Sequence, residues 1–566
     1  MRKIVKNQEM NAEKRRYFIF AAIIMIQVVV MLYWANEKSN FYIDELYSMG
    51  YASNFTGRGD TERRISDGPE WQFNKWINNA LFKEYLLVSE EEQIFQLSFT
   101  EAVQKMLTGR NYFGLLNIAE SLVGYDFVSA RPGIVLNILI FILTEIAFLL
   151  FMQKMKMELC SRYLALVMFG FSAFTIGFVE YIRFYIIVIM YFMWLLNLLY
   201  FVWTNEHMKK IIPAEIGILA LTYLSYKNSE LTLFFFGAFS LCFVIALVIT
   251  KKWKRLISYI ITGAVAFVYI LITTNYVGVL LHPTAHPEAS GTALRASLRV
   301  AEPSLAAIAS RIFLVTEWIG TYYFGHYIVI LLAATALIAY SLWVHGRKKE
   351  EGTPVFEAFH LKSDLKNRKI SQECGFILVL IGAAVFYTLF AALAGFKLQR
   401  YYCFTILLAA VIFWGLLDRL IKKAPSEMRR GCYAILAAAT VLSALIPFRE
   451  RHVDYIYEDD RDFIAALEPY NDRDVDTVLL VRRVDGAPHP FAIYDCVNLT
   501  SENSDIYLID MESYSYEELD FSDEFILWDR ENKDSSEVLN DLAAHGYEIE
   551  SLGTDHVCQA YICRIK

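Results

Sequence analysis

The 566-residue chain has little with which to build a covalently stapled fold. Its eight cysteines form no CxxC pair and no zinc-ligand spacing, and three of them (Cys496, Cys558, Cys563) fall near the C-terminus, an odd number. A disulfide framework and a zinc module are therefore not expected. Internal repeats, long Gly/Ser linkers and heptads are also missing, which argues against solenoids, tethered modules and coiled coils. Charged residues are only 20% of the chain, against 56% hydrophobic. That is too apolar, at this length, for one ordinary soluble core.

What charge there is, is divided. From Arg449 to Lys566 there are 10 Lys+Arg against 29 Asp+Glu, a net of −19, which leaves 43 against 32, or +11, for the rest. A basic part joined to an acidic part implies two environments. The acidic part repels phosphates, so no nucleic-acid partner is expected.

The hydrophobic residues gather in stretches near the ~20 residues that cross a bilayer. The first runs from Tyr17 to Trp34, behind Arg2, Lys3, Lys6, Lys14, Arg15 and Arg16. No small-x-small cleavage site comes after it, so it reads as an uncleaved signal anchor with a cytoplasmic N-terminus. Further stretches lie at about 133–152, 163–182, 184–203, 211–226, 231–250, 256–281, 322–344, 374–395, 402–421 and 432–447, giving about 11 transmembrane helices. Alternate loops hold the basic clusters, among them Lys154, Lys156 and Arg162, Lys251 to Arg255, and Arg347 to Lys349. This obeys the positive-inside rule. An odd number of spans places the C-terminus outside. The expected organisation is a cytoplasmic tail (1–16), a transmembrane domain (17–447) with a long first external loop (35–132), and an extracytoplasmic acidic domain (448–566). The expected location is the plasma membrane of the cell, multi-pass.

Two segments of the first loop carry helical spacing: Phe73, Trp76, Ile77, Ala80, Leu81, and Phe99, Ala102, Val103, Met106, Leu107. Both fit amphipathic helices lying in the membrane interface, or a small helical domain packing on itself. After Pro447, short β-rich runs appear at Thr477–Val481, Asp505–Ile509, Glu524–Trp528 and Gln559–Ile565. A helix is expected over Ser535–Ala544, ending at Gly546. Strands alternating with helices predict a small α/β domain.

The segment Phe41-Tyr42-Ile43-Asp44-Glu45-Leu46-Tyr47-Ser48 carries the most chemical information. Its two acids lie about ten residues beyond the first span, at the level of lipid head groups. Adjacent acids in a loop are usually solvated. The aromatic and aliphatic flanks here predict packing instead, and a packed carboxylate can act as a base near neutral pH.

This placement resembles the GT-C superfamily of membrane glycosyltransferases, in particular the bacterial protein O-mannosyltransferase and aminoarabinose transferase-like families. Asp44-Glu45 matches the family's Asp-Glu position, and the first-loop helices look like its juxtamembrane helices. The Trp-Trp-Asp signature of oligosaccharyltransferases is absent, which disfavours that branch. The resemblance implies transfer of a sugar, hexosyl or pentosyl, from a polyprenyl-phosphate donor to a hydroxyl of a glycan, lipid or protein acceptor, with inversion, at the outer face. Membrane lipid is then a partner. Phosphate leaves readily, so one base suffices and no second carboxyl acid is needed. Asp44 is assigned as base and Glu45 as a supporting acceptor or metal contact, with the reverse order open. No metal ligands are assigned and no cofactor is certain; a divalent metal is left open.

The departing phosphate needs cations at outer span ends. Arg183, in Glu180-Tyr181-Ile182-Arg183, and Arg400, in Gln399-Arg400-Tyr401, suit it because guanidinium gives paired hydrogen bonds; Lys227 is a third candidate. Arg400-Tyr401 resembles the Arg-Tyr at a late span of many bacterial members. Against this stand interfacial snorkelling and a Glu180–Arg183 pair one turn apart. His282 and His286 have ligand spacing, but Pro283 and Pro287 oppose a helix there, which favours a loop role. Glu145, inside a span, is either functional or paired with a neighbouring helix. The alternative reading of the whole chain is a multi-pass transporter or flippase. That class predicts repeats and mid-membrane polar residues, of which Glu145 is the main example.

Overall fold

A backbone in hydrocarbon must satisfy its own hydrogen bonds, so long apolar runs coil into helices. The computed structural model describes residues 2–57, 73–124, 128–273, 305–326, isolated helical positions between 329 and 340, and 371–566. Within the last range it omits 425, 452, 482, 485, 486, 489, 512, 513, 517–520 and 531–534. His282, His286, most of the stretch expected at 322–344 and the basic cluster Arg347 to Lys349 lie outside the described residues. The chain divides into two units. One comprises 1–31, 138–178 and 184–453, and the other 32–137, 179–183 and 454–566.

The first unit is helical. Among the described residues, seven helices are long and apolar enough to cross a membrane: Lys14–Glu37, Arg131–Lys154, Tyr185–Thr204, Leu231–Ile249, Gln372–Leu393, Gln399–Lys422 and Met428–Glu450. The protein is therefore a multi-pass membrane protein. An eighth span is present if the pair Leu159–Phe171 and Ala173–Glu180 counts as one. Those two helices bend by 49° where one continuous span over 163–182 is expected. The cause is local. Ser172 leaves the helical conformation, and its hydroxyl accepts the Thr175 N–H at 3.2 Å, capping the second helix. Helices Met208–Asn228 and Trp253–Thr273 occupy the places of two more expected spans. The total of 11 is consistent with these elements.

Lipid tails are as apolar as leucine, so burying apolar area does not drive these helices together; close packing does. Aromatic rings supply much of it. Phe235 sits 4.7 Å from Phe192 and 4.9 Å from Phe404, and Tyr387 lies 5.5 Å from Phe404. Glu145 is fully buried, and among the described residues neither carboxyl oxygen has a hydrogen-bond partner.

The second unit is built on a six-stranded sheet. Its strands are β1 (Trp76–Asn78), β2 (Thr477–Val481), β5 (Asp505–Asp510), β6 (Glu524–Arg530), β7 (Tyr547–Thr554) and β8 (Cys558–Ile565). The short strands β3 (Arg483–Val484) and β4 (Ala487–Pro488) pair separately. The sheet order is β1-β5-β2-β6-β8-β7. The inner trio β5-β2-β6 is parallel, and β1, β8 and β7 join antiparallel. All five residues of β2 are buried, the continuous apolar run that a strand covered on both faces requires. Helix Ser535–Ala544 sets Val538 and Leu542 against Val478, Leu480, Phe525 and Leu527. Helix Pro490–Leu499 packs on β2 as well.

One expectation is corrected here. Residues 76–78 form a strand, not part of an amphipathic helix; Trp76 pairs with Tyr507 and Asn78 with Asp505. The edge of β5 offers backbone groups that need partners, and this outweighs a helical spacing carried by a few apolar residues. The next helix is short, Asn79–Lys83, capped by the Asn78 side chain on Ala80 N–H at 3.0 Å. The second expected helix is present at Phe99–Thr108 with Ser98 and Glu101 forming a capping box, and it buries none of its residues.

Candidate active site

The first long helix ends at Glu37, and a new one runs from Ile43 to Ser53. Between them the chain lies beside residues 455–460: Ser39 N–H donates to Ile456 C=O at 2.9 Å, and the Asn40 amide to Asp460 Oδ2 at 2.9 Å. Asp44 and Glu45 occupy the first turn of the new helix, where the helix dipole favours negative charge. Ile43, Leu46, Met49, Ala52 and Ser53 are buried, so the helix is anchored by its apolar face and the orientation of its first turn is fixed.

The two acids are used differently. Glu45 is fully buried. Its Oε2 accepts from Lys38 Nζ at 3.0 Å and from Tyr42 N–H at 2.6 Å, and its Oε1 from Ile182 N–H at 2.9 Å. Burial pushes its pKa up; the Lys38 charge and the backbone N–H groups push the other way without cancelling it. Three donors converge on this carboxyl, which makes it a joint between the helix start, the preceding lysine and the 179–183 turn. Lys38 is equally enclosed, its side chain 2% exposed. It also donates to Tyr455 C=O.

Asp44 faces outward from the same turn, its side chain 18% exposed. Its Oδ2 accepts from the Tyr181 hydroxyl at 2.7 Å, and its Oδ1 lies 3.7 Å from Arg183 Nη2. Arg183 Nη1 donates to Asp44 C=O at 2.8 Å and to Ser48 Oγ at 3.1 Å, with the guanidinium 5.9 Å from the Phe113 ring. A carboxylate oriented by a phenol and steadied by an arginine, with a side open to solvent, can accept a proton from an incoming hydroxyl.

The 179–183 turn that delivers Tyr181, Ile182 and Arg183 is fixed independently. Asn137 Nδ2 donates to Val179 C=O at 2.8 Å and Tyr181 C=O at 3.0 Å, and its Oδ1 accepts from Tyr112 OH at 3.0 Å. Gly133 is required beside it: a Cβ there would lie 2.5 Å from Ile182 Cγ2. The Tyr181 ring stacks on Tyr455 at 3.9 Å with 6° between planes. Glu180 is buried, and among the described residues its oxygens have no hydrogen-bond partner, so it is not paired with Arg183.

Of the sequence-derived candidates, the structure brings Asp44, Glu45 and Arg183 together within one unit. Arg400 and Lys227 belong to the other unit. Arg400 sits in the Gln399–Tyr402 turn, 8% exposed, its guanidinium 5.5 Å from the Tyr401 ring. Lys227 lies in the last turn of Met208–Asn228, 5.8 Å from the Tyr223 ring. Two residues were missed by sequence reasoning. Tyr181 is adjacent to a residue singled out, but nothing marked its hydroxyl. Lys38 stands seven residues before Glu45 and reads as an ordinary basic flank.

No protein-family model matches the chain, and no curated protein matches it by sequence. Among solved structures, it is similar to ArnT from Cupriavidus metallidurans bound to undecaprenyl phosphate. The identity is 10%, over 96% of this chain and 97% of that one, with a TM-score of 0.51. The same protein in the apo state aligns at 11% identity, over 97% of this chain and 98% of that one, with a TM-score of 0.47. The chain thus shares the fold of the undecaprenyl-phosphate-bound ArnT structure, a polytopic helical membrane protein with a small C-terminal α/β sheet domain.

Proposed function

We propose that the chain is an inverting GT-C-type glycosyltransferase. It takes a sugar from a polyprenyl-phosphate donor and passes it to an acceptor hydroxyl at the outer face of the plasma membrane, with the N-terminus cytoplasmic and the acidic C-terminal region outside. The observation that carries this reading is the position of Asp44: first turn of the helix that follows the first membrane-spanning helix, partly exposed, hydrogen-bonded to Tyr181 and beside Arg183. The fold it shares with a protein crystallised with undecaprenyl phosphate supports the choice of donor.

In this mechanism the acceptor oxygen attacks the anomeric carbon while its proton passes to Asp44. The bond from that carbon to the phosphate oxygen breaks, and the oxygen leaves with the electron pair as polyprenyl phosphate. Because the leaving phosphate is a stable anion, no carboxylic acid is needed to protonate it. Glu45 holds the turn rather than reacting, and the assignment made from sequence therefore keeps Asp44 as base. Arg183, Arg400 and Lys227 are the candidates for charge compensation at the phosphate.

The test is transfer itself. Purified protein in lipid vesicles is given polyprenyl-phosphate-linked sugars, one class at a time, with envelope glycans, lipids or proteins as acceptors. Release of polyprenyl phosphate matched by label in an acceptor supports the reading. Passage of intact donor across the vesicle membrane without bond cleavage would replace it with the transport alternative.

A further inference from the structure

Away from the Asp44 turn, a second group of acids converges from three distant parts of the chain. Asp460 immediately precedes helix Arg461–Asn471, Asp495 lies in helix Pro490–Leu499, and Asp555 and His556 form the turn between β7 and β8. Ligand atoms of Asp460, Asp555 and His556 all lie within 4.8 Å of one another. His556 Nδ1 is 2.6 Å from Asp460 Oδ2, and its ring stacks on Tyr457 at 4.0 Å. Asp495 closes the group from inside. It is 2% exposed, and its carboxyl lies against that of Asp555. The Oδ2 atoms of both Asp495 and Asp555 are buried without a hydrogen-bond partner among the described residues.

A buried carboxyl oxygen with nothing to accept from is costly, and two carboxyls in contact cannot both stay ionised without a counter-charge. Either a shared proton or a cation relieves this. The donor set favours the cation: oxygens with one imidazole nitrogen suit Zn2+ or Mn2+. Ligands about 2.1 Å from a tetrahedral ion stand roughly 3.4 Å apart, so the spacing of Asp460, Asp555 and His556 needs only small side-chain shifts.

We propose that Asp460, Asp495, Asp555 and His556 bind one divalent cation of the Zn2+ or Mn2+ class, which ties the 454–460 segment to the sheet. The consequence reaches the Asp44 turn within the same unit. Residues 455–460 accept from Lys38, Ser39 and Asn40, and Asp460 itself accepts from Asn40. Tyr455 and Tyr457 hold left-handed backbone, with φ of 68° and 55°, so this segment needs firm anchoring. The cation site stands whether or not the chain is a transferase.

Full-length protein in detergent, stripped with chelator and dialysed, is titrated with Zn2+ alone and Mn2+ alone by calorimetry, with metal content checked by mass spectrometry. The expected result is one equivalent bound and a melting temperature raised by several degrees. Affinity should fall at least tenfold in His556→Gln and in Asp495→Asn. His556→Gln sits in a turn and is the variant to judge by if Asp495→Asn does not fold. No stoichiometric binding by the wild type overturns the proposal and leaves a shared proton between Asp495 and Asp555. Undiminished binding in His556→Gln overturns it too, because the cation is then held elsewhere.

Discussion

Replacing Glu45 with glutamine should destabilise the protein severely, although the two side chains have nearly the same shape. The amide keeps an acceptor for one backbone N–H but presents donors where Lys38 Nζ and the N–H groups of Tyr42 and Ile182 converge. Lys38, with its enclosed side chain, is left as a buried cation beside the Tyr455 C=O. Removing one member of a buried ion pair costs about 3–5 kcal/mol. For a domain of 150–250 residues that corresponds to roughly 6–20 °C in Tm. The reverse change, Lys38→Met, should cost a similar amount. The double variant Lys38→Met with Glu45→Gln should recover much of the loss, because neither charge is then stranded. The assay is intrinsic-fluorescence melting in detergent at pH 7, with Trp34 and Trp528 among the buried reporters. A Glu45→Gln protein melting within about 2 °C of wild type, or single effects that simply add in the double variant, would refute the assignment of Glu45 as a structural joint.

Three other outcomes are expected. Gly133→Ala, whose Cβ would stand 2.5 Å from Ile182 Cγ2, should push the 179–183 turn and cost about 1–3 kcal/mol; combined with Ile182→Ala it should cost clearly less than the sum of the two single changes if the clash is the cause. Tyr181→Phe deletes the hydroxyl 2.7 Å from Asp44 and should lower kcat roughly tenfold, in line with about 1.5 kcal/mol for a hydrogen bond to a charged group, while KM stays near its original value. Glu524, hydrogen-bonded by Arg473 and Arg564, has its pKa held below the usual 4.5. Its contribution to stability is present above that ordinary value and is lost as pH falls through the lowered one. Glu524→Gln should therefore lower the melting temperature in the neutral region and flatten the acid limb of the profile, so that variant and wild type converge at low pH.

Much of the membrane architecture was legible because a bilayer imposes a length on apolar runs that survives any tertiary detail. The break at Ser172 was not, since one serine inside an apolar stretch gives no warning that its hydroxyl will cap a new helix. In the acidic region, β2, β5, β6, β8 and the Ser535–Ala544 helix were expected nearly at their observed limits, because buried strands are short, β-branched and set off by turns. Strand β1 was misread: three residues carry too little pattern to outweigh the helical spacing of Phe73, Trp76 and Ile77, and the partner that makes them a strand is over 400 residues away. The same kind of distance hid the cluster of Asp460, Asp495, Asp555 and His556. Within the Asp44 turn, sequence position pointed to both acids and assigned Asp44 as base, but left the reverse order open. What separates them is the direction in which one helical turn aims each carboxyl, and the presence of Lys38 on one side and Tyr181 on the other.

The central claim is that Asp44 removes the acceptor's proton. In a single-turnover assay with polyprenyl-phosphate sugar and acceptor, Asp44→Asn should reduce the transfer rate by about 10²–10⁴-fold while melting within about 2 °C of wild type and still binding donor. Transfer at the wild-type rate by a folded Asp44→Asn protein would contradict the account.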